Sequence, residues 1–198
     1  METQLIMQKS STIEQPLADV ISQRKSSRAF AEAAIEPEKI QAIFEAARWA
    51  PSSSNEQPWA YIYATKDQPE LWGKLFDTLM DGNKIWAERA PLLILSMIRK
   101  NSFSNGKLNP SAKYDLGAAN AFLSLQATHL GLNVHQMGGF DREKAKLKLN
   151  IPVTHAAAVM LAIGYLGDAA LLPAFLQERE VAPRSRYTQE AFVMNNVF

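Results

Sequence analysis

The chain has 198 residues, 47% of them hydrophobic, which is enough to bury a substantial core, and no Pro/Gly/Ser-rich linker divides it. Lys and Arg number 21 against 20 Asp and Glu, so the net charge of +1 offers no basic surface for nucleic acid or an anionic membrane. Cysteine is absent, which excludes disulfides, thiolate metal sites and cysteine nucleophiles. We therefore predict one domain over residues 1–198.

The sequence shows no targeting or membrane-spanning segment. Residues 1–10 lack the continuous apolar core of a signal peptide. The longest apolar runs, residues 91–98 and 156–165, are far shorter than the ~18 residues of a spanning helix. The three histidines do not have the spacing of metal ligands. We expect a cytoplasmic protein with no metal, no nucleic-acid partner and no membrane partner.

Hydrophobic periodicity predicts helices and strands that are interleaved along the chain. Prolines and glycines mark many of the boundaries. In order, the predicted elements are helices at 16–23 and 35–50, a strand at 59–64, a helix capped by Asp67 and ended by residues 81–83, a strand at 92–98, a helix at 113–130, a strand at 134–137, a helix from Asp141 to Asn150, a strand at 156–165 and a helix begun by Pro173.

The predicted helix at 113–130 is apolar on two faces, which indicates burial on two sides. In a domain of this size, the second side is a candidate subunit interface. The two stripes are Leu116, Ala119, Leu123, Ala127 and Leu130 on one face and Ala118, Phe122 and Leu125 on the other.

Residues 24–30 place three cations and two hydroxyls within five positions, where a short helix gives way to an irregular segment. Guanidinium forks and hydroxyls suit the oxygens of a phosphate. A solvated helix C-terminus explains the same residues, because the macrodipole favours cations there. A second Arg/Ser cluster, residues 183–187, lies far away in the sequence. Taken alone, these residues leave both interpretations open.

Three loops could carry function. Residues 51–58 are almost all hydrogen-bonding groups of modest length, and Gly138-Gly139 separates a strand from a helix. Paired glycines permit positive φ or close approach to a ligand, and a plain turn explains them as well. Residues 101–110 form a candidate lid or an idle loop. Neither GxGxxG nor a P-loop follows any strand, so Rossmann and nucleotide-triphosphatase domains fit poorly.

Four motifs in this order resemble those of the nitroreductase family of flavin mononucleotide (FMN) enzymes. Each motif alone is weak, but together they span about residues 16–193. They are residues 24–30, 50–59, 136–141 and 184–186.

The resemblance implies an FMN site. Residues Arg24, Ser26, Arg184 and Arg186 match the phosphate ligands, and Arg28 would lie toward the pyrimidine ring. The loop 51–55 would reach the flavin of the partner subunit, and the backbone N–H groups of the glycine pair would face N5 and O4. The implied cofactor-binding residues are Arg24, Lys25, Ser26, Arg28, Pro51, Ser52, Ser53, Ser54, Asn55, Gln57, Gln136, Met137, Gly138, Gly139, Arg184 and Arg186.

The chain departs from the family at one place. In several members an Asn and a Lys before the strand at Pro91 also approach the flavin. The corresponding positions here are Ala87 and Ala90, within residues 86–90. Polar contacts at the pyrimidine edge are therefore not expected from these two positions.

The fold implied by the resemblance is α/β (α+β), a three-layer α/β/α sandwich with a central mixed, mainly antiparallel sheet, in a homodimer. The implied activity is ping-pong hydride transfer from NADH or NADPH through FMN to a small-molecule electron-poor acceptor, a nitroaromatic or a quinone. Alternatives are a specialised flavin enzyme (dehalogenase, dehydrogenase or ring-cleaving oxidase), a non-catalytic flavin- or tetrapyrrole-binding protein, and a structural or regulatory domain.

Overall fold

Helices and strands alternate along residues 9–195, which are the residues that the computed structural model describes. Most of the segment 1–10 that was considered for a signal peptide lies outside them. The strands are β1 (Lys9–Ser10), β2 (Trp59–Thr65), β3 (Leu92–Arg99), β4 (Asn133–Met137), β5 (His155–Gly164) and β6 (Arg186–Tyr187). The helices are α1 (Asp19–Gln23), α2 (Pro37–Arg48), α3 (Pro69–Asp77), α4 (Asp81–Ala87), α5 (Ala112–His129), α6 (Arg142–Lys148) and α7 (Ala174–Val181).

The central sheet has four strands in the order β2–β3–β5–β4. Strand β3 lies between β2 and β5 and is buried along almost its whole length. This burial explains why its sequence is a continuous apolar run. All three pairings are antiparallel, which confirms the mainly antiparallel expectation. No parallel pairing, which a mixed sheet requires, occurs between residues 9 and 195. A separate antiparallel pair joins β1 to β6.

Alternate residues of the central strands pack against helical layers on opposite faces of the sheet. Leu93 and Leu95 belong to a core with residues of α3, α4, α6 and α7. Leu92 and Ile94 face the other way, into a core formed with α2 and α5. This alternation follows from the two-residue period of a strand, and it confirms the three-layer α/β/α sandwich.

Helix α5 packs one of its two apolar stripes against the sheet and leaves the other toward the outside. Leu116, Ala119 and Leu123 are completely or almost completely buried. Phe122, on the second stripe, is 41% exposed. The helix ends as the sequence predicts, because Gly131 follows it with a φ of +77°. The second stripe is therefore available to a further copy of the chain.

The sequence predicts a single helix from Asp67 to residues 81–83. This prediction is wrong, because the segment forms two helices. Helix α3 ends at Asp77, and α4 begins at Asp81. Between them Leu79 forms a bridge with Phe140, and the Met80 N–H donates to the Gly139 carbonyl at 3.1 Å. These long-range bonds pull the backbone out of its helical path.

The backbone directly after the first basic cluster (the cations of residues 24–28) is hydrogen-bonded to the segment that follows β5. The Gly167 N–H donates to the Ala29 carbonyl at 2.9 Å, and the Ala31 N–H donates to Tyr165 at 3.0 Å. The backbones approach so closely that a Cβ on Gly167 would lie 2.4 Å from the Phe30 carbonyl carbon. Only glycine fits at this crossing.

We predict that Gly167→Ala destabilises the protein by about 1–3 kcal/mol, because the added methyl group must displace backbone. Gly73→Ala in α3 is the control, since its Cβ would meet nothing within 4 Å. It should stabilise the helix by about 1 kcal/mol. Urea unfolding measures both variants, and a Gly167→Ala protein as stable as the parent would contradict the close packing.

Candidate functional site

The two basic clusters, about 160 residues apart in sequence, share one cavity of about 610 Å³. Each cluster lies at the end of a short helix, α1 or α7, so the fold brings the two helix ends together. Predicted site residues among those that line the cavity are Arg24, Lys25, Ser26, Arg28, Arg184 and Arg186. The two clusters are therefore neighbours in the fold, and Arg184 and Arg186 are exposed to solvent there.

Hydrogen bonds between the clusters hold their arginines in place. The Arg184 guanidinium donates to the carbonyl oxygens of Arg24 and Ser22. Arg24 Nη1 donates to Ser26 Oγ at 3.2 Å. Arg186 is placed by the β1–β6 pair, where it lies opposite Ser10. Side-chain hydrogen bonds therefore orient Arg24 and Arg184, whereas strand pairing places the backbone of Arg186.

The positive charges oppose one another inside the cavity. Partial burial, followed by the nearby charges of Arg184 and Arg186, lowers the pKa of Arg24 from its ordinary value. A lowered pKa means that this environment disfavours the charged guanidinium. An anion with several oxygens, such as a phosphate, would reverse that effect and accept hydrogen bonds from all three side chains.

One acidic side chain, Glu180 of α7, also lines the cavity and is only 7% exposed. The Arg28 N–H donates to its Oε2 at 2.9 Å, and Lys25 Nζ lies 3.7 Å from its Oε1. Sequence reasoning missed this residue, because a glutamate near the end of a helix is normally solvated.

Two residues of strand β4, His135 and Asn133, contact the first basic cluster at Ser27. Nδ1 of His135 lies 3.0 Å from the Ser27 carbonyl oxygen, and the imidazole ring packs against the Trp86 ring, tilted by 40° with the ring centroids 4.5 Å apart. Ser27 Oγ donates to Asn133 Oδ1 at 3.3 Å. Burial is the main cause that lowers the pKa of His135, so the ring stays neutral at pH 7. His135 acts as a support for the cavity wall.

The remaining predicted site residues lie elsewhere on the described chain. The loop 51–57 has positive φ at Ser54 (52°), Asn55 (54°) and Gln57 (46°). Gln57 Nε2 donates to Asn55 Oδ1 at 3.0 Å, and the buried Asp115 carboxylate accepts from the Ser53 N–H at 3.3 Å. Three non-glycine residues in this region store backbone strain, a feature that clusters at functional sites.

Glu56, within this loop, connects it to the loop 101–110. The Glu56 carboxylate accepts from the Phe103 N–H at 2.5 Å, from Ser104 and from Arg99 Nη2 at 3.3 Å. The hydrogen bond from Ser104 is the largest cause that lowers the pKa of Glu56. The carboxylate therefore ties the candidate lid to the strained loop, a link that sequence spacing does not reveal.

Neither Gly138 nor Gly139 has a positive φ. A close neighbour explains the lack of a side chain at Gly139, whereas a Cβ on Gly138 would meet nothing within 4 Å. The Gly139 carbonyl accepts from Asn83 Nδ2 at 2.9 Å, and a Cβ on Gly139 would lie 2.8 Å from the same nitrogen. Next to it, Met137 is buried in the core, whereas Gln136 is exposed and donates to Ser124 Oγ at 3.1 Å.

The alanines assigned to the flavin-facing positions lie elsewhere. Ala87 and Ala90 are completely buried in the core. The polar amide beside the glycine pair is Asn83, four residues before Ala87. Its place in a separate helix, α4, could not be foreseen because that helix was not predicted.

Two further observations concern metal ions and membranes. Between residues 9 and 195, no three or more His, Asp or Glu residues cluster as they would around a metal ion. Within the same range, none of the helices combines the length and apolar character needed to span a bilayer.

Comparison with known proteins identifies the family. The model of the nitroreductase family matches residues 21–165, and the chain belongs to this family. A solved structure described as an oxidoreductase containing FMN is 36% identical, covers 94% of this chain and 95% of its own, and superposes with a TM-score of 0.89. The class of protein is thus a nitroreductase-family oxidoreductase.

Two more distant relatives agree with this assignment. An Archaeoglobus fulgidus protein, provisionally named an NADH dehydrogenase/NAD(P)H nitroreductase, is 27% identical over 154 residues, 75% of this chain and 84% of its own. A nitroreductase-family structure from Clostridium difficile 630 is 22% identical over 93% of this chain and 100% of its own, with a TM-score of 0.72. At that identity the second comparison establishes the fold only.

Proposed function

We propose that residues 1–198 form a single FMN-binding domain of a cytoplasmic NAD(P)H-dependent oxidoreductase. The reaction is hydride transfer from NADH or NADPH to an electron-poor small molecule, a nitroaromatic or a quinone, by a ping-pong mechanism. When bound, FMN supplies the hydride-accepting and hydride-donating chemistry at N5. The observation that carries the proposal is the cavity of about 610 Å³ whose lining includes Arg24, Arg184 and Arg186.

The residues of the cavity fit a phosphate monoester. Arg24 and Ser26 come from the first basic cluster, and Arg184 and Arg186 from the second. Guanidinium groups bind phosphate oxygens in pairs of parallel hydrogen bonds, and the serine hydroxyl adds a donor. The lowered pKa of Arg24, caused by burial and then by the charges of Arg184 and Arg186, supports this proposal, because a bound anion would stabilise the charged guanidinium.

The glycine pair fits the edge of a flavin ring. Gly139 has no Cβ, and hydrogen bonds from Asn83 and from the Met80 N–H fix the orientation of its carbonyl. A backbone held in this way can approach a planar ligand closely and present N–H groups toward N5 and O4. Its role would be to orient the ring and stabilise developing negative charge.

The loop 51–57 and helix α5 fit a homodimer that shares its two sites. The loop is strained and exposes Ser53, Ser54 and Asn55, but it does not line the basic cavity of its own chain. The partly exposed stripe around Phe122 provides an apolar face for a second copy. Pairing through α5 would allow each loop to reach the flavin of the partner subunit.

The experiment that tests this function is anaerobic mixing of the FMN-loaded protein with NADH and, separately, with NADPH. The flavin absorbance at about 450 nm should fall with at least one donor and return when a quinone or a nitroaromatic is added. Protein mixed with buffer alone is the control. An absorbance that no donor changes would favour a flavin-binding carrier, and protein that ignores added FMN would favour a structural domain.

A second prediction concerns the phosphate. Arg186→Ala should weaken FMN binding by ~10- to 100-fold, the equivalent of one charge-assisted hydrogen bond of ~1.5–3 kcal/mol. Riboflavin, which lacks the phosphate, should bind almost unchanged. Arg48→Ala, on the exposed surface of α2, is the control. Equal losses for both ligands, measured by quenching of flavin fluorescence, would show that Arg186 does not bind the phosphate.

A third prediction is that FMN binding and dimer formation are coupled. Phe122→Glu should place a charge in the α5 interface, produce monomers and release flavin by mass action. Leu147→Glu is the control, because Leu147 is 77% exposed on α6, in the opposite layer. Sedimentation velocity followed at protein and flavin wavelengths measures both effects. Monomers that carry stoichiometric FMN would contradict the shared site.

A further inference from the structure

The carboxylate of Glu180 lies within an otherwise cationic cavity. Its side chain is 4% exposed, whereas that of Lys25 is 37% exposed. Its Oε2 accepts from the Arg28 N–H at 2.9 Å, and its backbone carbonyl accepts from Lys25 Nζ at 3.3 Å. Its Oε1 is buried without a hydrogen-bond partner, and Lys25 Nζ lies 3.7 Å away.

A buried carboxylate requires a nearby counter-ion. Removing one member of a buried ion pair is costly because the other charge remains uncompensated, whereas replacing both is often nearly neutral. Lys25 contacts Glu180 both through the ion pair and through the carbonyl of the same residue. These two contacts direct the ammonium group toward α7.

We propose that Lys25 is the counter-ion of Glu180 and not a ligand of the phosphate, and that Glu180 is a positioning residue for the anion site. The identity of the anion as the FMN phosphate rests on the function proposed above. Lys25 then cancels a carboxylate that would otherwise repel the phosphate. The phosphate oxygens are left to Arg24, Ser26, Arg184 and Arg186.

Glu180 also fixes the geometry of the first basic cluster. Its bond to the Arg28 N–H joins α7 to a backbone segment 152 residues away. Four residues after Glu180, Arg184 bonds to the carbonyls of Arg24 and Ser22. The segment 22–28 is thus held at both ends by one stretch of chain, which preorganises the donors and reduces the entropy cost of binding.

A double-mutant cycle tests the proposal. The variants are Lys25→Met, Glu180→Gln and the double variant, and the measurement is FMN affinity of the flavin-free protein. Lys25→Met should weaken FMN by ~10- to 100-fold when Glu180 is present, because it leaves a buried carboxylate beside the phosphate. It should weaken FMN by less than ~3-fold in the Glu180→Gln background. Glu180→Gln serves only as the second background of the cycle: it removes the carboxylate charge, while its amide oxygen can still accept from the Arg28 N–H.

Two controls separate charge from folding. Glu178→Gln changes an exposed glutamate of the same helix and should have no effect. Riboflavin binding should change little in every variant, because riboflavin carries no charge near the cavity. If Lys25→Met weakens FMN equally in both backgrounds, Lys25 is a direct phosphate ligand and the proposal is wrong; an absence of any effect in the parent background also overturns it.

The ion pair can be measured without any flavin, so its failure is distinguishable from failure of the proposed function. Lys25→Met should lower the melting temperature of the flavin-free protein when Glu180 is present and should change it little in the Glu180→Gln background. Equal shifts in the two backgrounds would contradict the pairing. If the protein shows this coupling but binds no FMN, the proposed ion pair is supported and the proposed FMN-dependent function is wrong.

Discussion

Repulsion among the guanidinium groups of Arg24, Arg184 and Arg186 is the constraint on which the site depends. Partial burial of Arg24, followed by the charges of Arg184 and Arg186, lowers the pKa of Arg24, so this environment disfavours its charged guanidinium. Backbone carbonyls and the buried Glu180 offset part of this repulsion. The phosphate of the proposed cofactor would offset the rest.

The fold supplies the contacts that keep these charges together. The β1–β6 pair fixes Arg186, and α7 presents Glu180 to the first basic cluster. The end of β5 holds the backbone beyond that cluster through Gly167. Each contact joins distant parts of the chain, so the site forms only in the folded protein. The strained loop 51–57 and the outer stripe of α5 supply the features that a second copy would use.

The apolar pattern of the sequence predicts most of the helices and strands, because burial requires regularly spaced or continuous apolar residues in elements such as β3 and α5. Their arrangement as a three-layer sandwich was implied by the family resemblance and not by this pattern. It does not predict the break between α3 and α4, because this break depends on a bridge from Leu79 to Phe140. The resemblance names the arginines of the site but not Glu180 or Asn83. Glu180 lies on the short helix α7, and Asn83 lies on α4, a helix that was not predicted. Neighbouring residues in the sequence do not indicate a role for either side chain, because their contacts are with distant parts of the chain.

The most direct measurement of the central claim is a crystal structure of the protein with FMN bound. The account predicts the phosphate within hydrogen-bonding distance (about 2.7–3.2 Å) of Arg24, Arg184 and Arg186. It also predicts the flavin edge beside Gly138-Gly139 and the loop 51–57 of the partner subunit against the ring. A flavin phosphate bound outside the cavity that unites the two basic clusters would contradict the account.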